Sequence, residues 1–512
     1  MKLGIDLGNK TFTVMRVAHD GLDPVPNIST RTYGESQESY PAIFTYEDGQ
    51  WLLTHEQGAG SITNIKAMSP EQWEQLGLTG EQGLTGILQA IREIIERNDP
   101  GNPIEDVVYS VPTMDDRLKE ELTIAMKNAG WPVMDEQQIL SDTTAALFGS
   151  GIYDDLEAMI GTNYTILVLD GKVHELSAIV YTVTVTQQAD QSIHLDLFEL
   201  NRKSLPSLGG EQVELMLAAR AKQIAQQVGM LDVSQLTTLD WLNFVDYIKN
   251  QFLVDPMPFI AGDFYFEDGT SWEEPAELDS AAMYAVFRGE SFEDFDGQMQ
   301  SRQIEEELKK FIHTLCDEGG ITAAQIQHIV LAGGTFRLPF WRNTVSNLFP
   351  AAIVADAPDN LSEVGLVGRG CGQYLQWKDS YQCTFSQRKR SNDYIGIAYK
   401  DEQELLKFKP LVALNQKKSY TSAFVLLRID ESFPLYIDIY KGPQSDDVAA
   451  CEKVTTLRFL QSKLRDKLAL NHVALRFTAQ QNDEILYEIQ HPYTRETIMK
   501  EALLSGIRAE ES

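Results

Sequence analysis

LGIDLGNK (residues 3–10) and TILVLDGK (residues 165–172) are built to one design. Each is a run of apolar β-formers ending in an aspartate, Asp6 or Asp170, immediately before a glycine-containing turn. Each then resumes as an alternating strand, TFTVMRV after the first and ELSAIVYTVTV after the second. Two such strand–turn–strand units predict a duplicated domain, and no short-period repeat competes with that reading. Between them VVYSVP (107–112) reads as a buried strand, followed by a helix from about 115 to 128. QILSDTTAALFGSG reads as a strand running into a helix whose start is marked by Ser141, Asp142, Thr143 and Thr144. Past the second unit, Leu208-Gly209-Gly210-Glu211 opens a long helix. A helix at 303–316 then leads into IQHIVLAGGTFRLPF, a buried strand with a double-glycine turn and Arg337. Alternating strands and helices of this kind predict an α/β fold with two lobes, about 1–160 and 161–376.

Residues 255–297 are acidic and aromatic with Arg288 as their sole basic residue, and read as solvated surface or a partner-facing subdomain. Near Trp377 the composition shifts, and the polar stretch 377–393, with Arg388-Lys389-Arg390, reads as an interdomain linker. Beyond it YIGIAYK, YTSAFVLLRI, LYIDIYKG, HVALRFTAQ and EILYEIQHP predict a β-sandwich over 394–512, interrupted by one helix at about 452–468.

Composition removes several function classes. The 512 residues carry 75 Asp plus Glu against 43 Lys plus Arg, a formal charge of −32. Such a surface repels phosphodiester backbones and anionic bilayers, so neither nucleic acid nor membrane is an expected partner. No apolar run approaches the length of a membrane span. Cys316, Cys371, Cys383 and Cys451 have no metal-ligand spacing and the eight histidines form no HExxH, so neither a zinc site nor a disulfide scaffold is expected. MKLGIDLGNK lacks the pattern of a secretion signal. The expected setting is cytoplasmic, with reduced thiols.

Two facing turns of this kind suit a polyphosphate: their N–H groups clamp it from both sides, while Asp6 and Asp170 hold a hydrated Mg²⁺ through water. The same turns also serve as ordinary hairpins. Leu331-Ala332-Gly333-Gly334 adds a third glycine turn after a buried strand.

GIDLGNKTFTV, SVPTMDDRLKEELTIAMKNAG, LSDTTAALFGSG, SLGGEQ and IVLAGGTFRLP occur in the order found in the DnaK family of heat shock protein 70 chaperones. The chain resembles that family over about residues 1–376, and more weakly through DYIGIAYKDEQ, KFKPLVALNQKKSYTSAFVLL and NDEILYEIQHPYT. The resemblance implies an actin-like ATPase fold of duplicated ribonuclease-H-like lobes, a substrate-binding β-sandwich, ATP or ADP with Mg²⁺ as ligands, and protein or extended-peptide clients with co-chaperones. Carried over by position, it makes Asp6 and Gly8 the first phosphate loop, with Asn9 and Lys10 where the family has hydroxyl residues. Lys66 falls at the lysine that orients the attacking water. Asp142 stands for a glutamate of the metal and water shell, and Asp170 with Gly171 for the second loop. Gly209 and Gly210 match a third nucleotide-contacting turn, Asp246 and Lys249 the ribose side, and Gly333, Gly334, Thr335 and Arg337 the adenine side. Pro112 and Lys119 resemble the pair that relays nucleotide state between domains.

Departures from the family are concentrated where the chemistry would be. The second loop, Asp170-Gly171-Lys172-Val173-His174-Glu175, is shorter and has one glycine where the family has three, with Glu175 in place of a final Asp. Asn250 replaces an adenine-stacking arginine, and Ser362 replaces an aspartate near the sugar. The linker lacks the family's leucines, and no helical lid is expected after the β-domain. The expected function is therefore a DnaK-like chaperone that binds ATP with weak or lost hydrolysis. The alternative is a pseudo-ATPase scaffold that docks a dedicated partner without turnover.

Overall fold

A computed structural model of the chain describes residues 1–8, 11–18, 21–25, 40–54, 61–63, 65, 68–112, 116–132, 136–228, 233, 235–254, 259–260, 266, 277–278, 280–355, 365–389, 394–400, 406–413, 420–428, 435–442, 448, 451–459, 472–479 and 485–504. The chain divides into two units, Met1–Ser386 and Gln387–Ser512.

In the first unit, β1 (Lys2–Leu7), β2 (Thr11–Ala18) and β3 (Gly21–Pro24) form an antiparallel meander, with the short β4 (Tyr40–Pro41) also on β2. A hairpin of β5 (Ile43–Glu47) and β6 (Gln50–Thr54) follows. After α1 (Pro70–Gln75) and α2 (Gly80–Asn98), β7 (Asp106–Val111) runs parallel to β1. Then α3 (Asp116–Asn128) leads to β8 (Ile139–Ser141), parallel to β7. The order is β3-β2-β1-β7-β8. The short helix α4 (Asp142–Gly149) leads to the second sheet.

There β9 (Asn163–Gly171), β10 (Leu176–Gln187) and β11 (Ile193–Leu205) form another antiparallel meander. Helices α5 (Gly210–Val228) and α6 (Thr238–Val254) follow, then the strand pairs β12 (Phe259–Ile260) with β13 (Glu277–Leu278) and, after α7 (Ser280–Tyr284), β14 (Phe292–Glu293) with β15 (Met299–Gln300). Past α8 (Ile304–Gly319), β16 (His328–Ala332) runs parallel to β9; past α9 (Pro339–Leu348), β17 (Ile353–Val354) runs parallel to β16. The order, β17-β16-β9-β10-β11, repeats that of the first sheet. Each of these two sheets carries one of the two aspartate-tipped turns, on β1 and on β9.

Packing explains why these strands are so apolar. Leu167 and Leu169 of β9 face a core with Val213 and Leu217 of α5, Trp241 and Phe244 of α6 and Leu308 and Ile312 of α8. Ile166 and Val168 face the other way, onto Ala145 and Phe148 of α4 and Cys371, Tyr374 and Leu375 of α10 (Leu366–Tyr381). A central strand buried on both faces reads as a continuous apolar run, and each such side chain contributes about 1.5–3 kcal/mol. In β1 only Leu3, Ile5 and Leu7 face a core, shared with α2 and α3. The opposite face receives α10 so closely that a Cβ on Gly4 would stand 2.1 Å from the Gly372 nitrogen. Near the end of α10, Asp379 pairs with Lys2 of β1 at 2.5 Å.

Three expectations are corrected here. Residues 377–389 of the expected linker are structured: Trp377 and Cys383 belong to a buried core, and β18 (Thr384–Lys389) joins the second sheet beside β11. His194 holds that edge, its Nδ1 2.9 Å from Thr384 and its Nε2 3.1 Å from Ser386. The described part of the acidic stretch 255–297 is no separate subdomain, since Phe266, Met283, Tyr284, Val286, Phe287 and Phe292 fill the core beneath α5 and α6. The third correction lies in the second unit.

That unit has two antiparallel sheets. One is ordered β20-β19-β23-β24, from β19 (Tyr394–Lys400), β20 (Leu406–Ala413), β23 (Leu435–Gly442) and β24 (Glu452–Phe459). In the other, β21 (Tyr420–Thr421) and β22 (Val425–Arg428) both pair with β25 (His472–Ala479), followed by β26 (Ile485–Gln490) and β27 (Thr497–Leu504). Ile395, Ile397, Val412, Ile439 and Leu457 of one sheet and Val473, Leu475, Phe477, Tyr487 and Ile489 of the other share one core. Residues 452–459 are thus strand, not the start of a helix; the rest of the expected helix, 460–468, lies outside the described residues. No described helix is long and apolar enough to cross a membrane.

Candidate functional site

The carboxyl ends of β1 and β9 open onto one cleft of about 390 Å³. Of the expected site residues, Asp6, Gly8, Pro112, Asp142, Asp170, Gly171, Gly210, Asp246, Lys249, Gly333, Gly334, Thr335 and Arg337 line it. Lys66, Asn9 and Lys10 lie outside the described residues. Lys119 is on α3, its side chain likewise outside the description. Gly209 is not in the lining; a Cβ there would meet the His174 backbone at 2.3 Å, so this glycine permits the second turn to pack against the start of α5.

Local structure explains how each group arrives. Asp6 ends β1 and accepts a hydrogen bond from the Ser110 hydroxyl of β7 at 2.9 Å. Asp142 is the first residue of α4, just after its cap Ser141, where the positive end of the helix favours a carboxylate. Asp170 sits in β9 beside Ala332 of β16, and both it and Asp142 are buried. Gly333, just past β16, has φ +89°, and a Cβ there would lie 2.4 Å from the Gly171 carbonyl oxygen. Thr335 donates to that same oxygen at 3.3 Å. On the far side, Lys249 of α6 pairs with Glu214 of α5 at 2.5 Å.

The second turn is tied down at both ends. Lys172 N–H donates to the Glu175 carbonyl at 2.9 Å, closing the hairpin. The Lys172 and Val173 carbonyls in turn accept from the N–H groups of Gly210 and Glu211, at 2.8 and 2.9 Å. His174 Nδ1 lies 3.1 Å from the Glu211 carboxylate. Two amides near the start of α5 that would suit phosphate oxygens are therefore engaged by the turn.

Held in this way, Lys172 sends its ammonium back across the cleft to Asp142 Oδ2 at 3.0 Å and Asp170 Oδ2 at 3.7 Å. Burial pulls its pKa down, but the attraction of Asp142 and Asp170 more than offsets this and holds it above the usual lysine value. An ammonium thus already stands between Asp142 and Asp170, the latter one of the two carboxylates expected to hold a hydrated Mg²⁺, and a metal ion at that pair has to displace it. Among the described residues no group of three His, Cys, Asp or Glu is placed to hold a metal ion.

Sequence reasoning missed Glu211 and Glu214, which also line the cleft. The signal for Glu214 was available: on α5 it lies one helical turn after Gly210, on the same face. No protein-family model matches the chain, and no curated protein matches it.

Proposed function

We propose that the chain is a divergent relative of the DnaK-type chaperones, with an actin-like ATPase fold in its first unit and a β-sandwich that holds protein or extended-peptide partners in its second. The first unit takes ATP or ADP in the cleft and hydrolyses ATP slowly or not at all. One observation carries the nucleotide reading: two sheets of the same strand order end their first strands in Asp6 and Asp170, and both aspartates line one cleft together with the glycine turns at 210 and 333–334. Weak hydrolysis is supported by the second turn. Its carbonyls occupy the Gly210 and Glu211 amides, and losing one preorganised donor set costs on the order of 10²–10³ in rate.

Titrating the full chain with ATP and with ADP, followed by thermal shift, tests this. Ligand at ~100 times its Kd should add about 2.7 kcal/mol to stability. No shift at millimolar nucleotide would leave the second reading, a scaffold with a vestigial cleft, which the occupied amides also favour. Turnover at a chaperone's usual rate, abolished by Lys66→Ala, would disprove slow hydrolysis.

A further inference from the structure

Carboxylates dominate the described lining of the cleft: Asp6, Asp142, Asp170, Glu175, Glu211, Glu214 and Asp246 face three permanent cations, Lys172, Lys249 and Arg337. Lys249 is committed to Glu214. An anionic ligand entering the Asp142–Asp170 end needs a cation there, since like charges in a partly buried cleft repel strongly. The chain supplies one. Lys172 stands 3.0 Å from Asp142 and 3.7 Å from Asp170, with 18% of its side chain exposed. Its backbone is fixed by the Glu175 carbonyl on one side and the Gly210 amide on the other. The ammonium is therefore preorganised by the fold.

We infer that Lys172 is the resident cation of the cleft, standing where a divalent ion would otherwise bridge ligand and carboxylates, so that a nucleoside di- or triphosphate binds here without metal. The inference rests on the nucleotide reading for its ligand, but its cation half stands on the ion pairs alone. A lysine ammonium is a compact point charge with three donors. One reaches Asp142, and Asp170, at 3.7 Å, is held by charge alone, which leaves donor capacity for a phosphate oxygen.

Two measurements on the full chain test it. In the first, ADP is titrated by calorimetry in millimolar MgCl₂ and in excess EDTA. The affinities should agree within about threefold, and a larger loss on chelation overturns the inference. In the second, Mn²⁺ is titrated without nucleotide and followed by electron paramagnetic resonance. The wild-type chain should show no saturable Mn²⁺ binding that Asp170→Asn removes; finding such binding overturns the inference. Lys172→Met keeps the length of the side chain and removes its charge. It should gain saturable Mn²⁺ binding and make ADP binding metal-dependent, whereas Lys172→Arg should do neither; a Met variant that folds and gains nothing counts against the inference. If the Met variant does not fold, the wild-type titrations decide. ADP silent in both buffers, with no Mn²⁺ bound by the wild type, would reject the nucleotide reading and leave the resident cation standing.

Discussion

Glu488 lies across from Arg476 in the β25–β26 ladder and takes the guanidinium Nε at 2.9 Å and Nη2 at 2.6 Å on one oxygen. Gln490 and Thr497 donate to its other oxygen, each at 2.8 Å. Burial pushes this carboxyl upward, but Arg476 and the two donors outweigh it and hold the pKa at about 2. A pKa below the ordinary 4.5 means that ionised Glu488 stabilises the second unit fully above that pH, and that the contribution is lost as pH falls toward about 2. Glu488→Gln should therefore cost about 1–3 kcal/mol at neutral pH and little in strong acid, read by urea titrations across that range. The same locality decides which site residues were legible in the sequence. Asp6, Asp170 and the glycines of the turns declare themselves through immediate neighbours. The partnership of Lys172 with Asp142 does not, because it joins a hairpin to a helix start that precedes it by 30 positions.

At the scale of elements, α4 and α10 cross with no room for side chains between them. A Cβ on Gly370 would stand 1.7 Å from the Ala145 carbonyl oxygen, and that oxygen belongs to a helix backbone that cannot step aside. Gly370→Ala should destabilise the first unit by about 2 kcal/mol or more, seen as a lower thermal midpoint. Gly101→Ala, with nothing within 4 Å of the new methyl, should stay within about 0.5 kcal/mol of the parent. Elements with an unambiguous period were readable: β9 from its unbroken apolar run, α5 from its length and glycine start. The strand β24 was not. EKVTTLRF is followed by KLRDKL, whose helical spacing dominates a local reading, whereas the strand is decided by pairing with β23. There Thr456 and Lys453 both reach Asp438, at 2.6 and 2.7 Å, and Leu457 enters the core. Nonlocal partners of this kind leave little trace in neighbouring residues.

Across the whole molecule, the boundary between units falls after α10 and within β18, inside the stretch 377–393 that was read as a linker. Polarity misled because β18 is an edge strand whose serine and threonine bond to His194, while its one large aromatic, Phe385, packs edge-on against Phe148 and Tyr374. A fragment ending at residue 389 should thus melt cooperatively by circular dichroism. One ending at 376 loses Trp377, which is 1% exposed, and should fall in stability by about 3–5 kcal/mol or fail to fold. The return of α10 to β1 has a further consequence during synthesis. The strand β1 leaves the ribosome long before α10, the helix that covers its second face. At ~5–20 residues per second that is a wait of roughly 20–80 s. For that interval the nascent chain carries an uncovered sheet, and β1 waits for a helix made long after it.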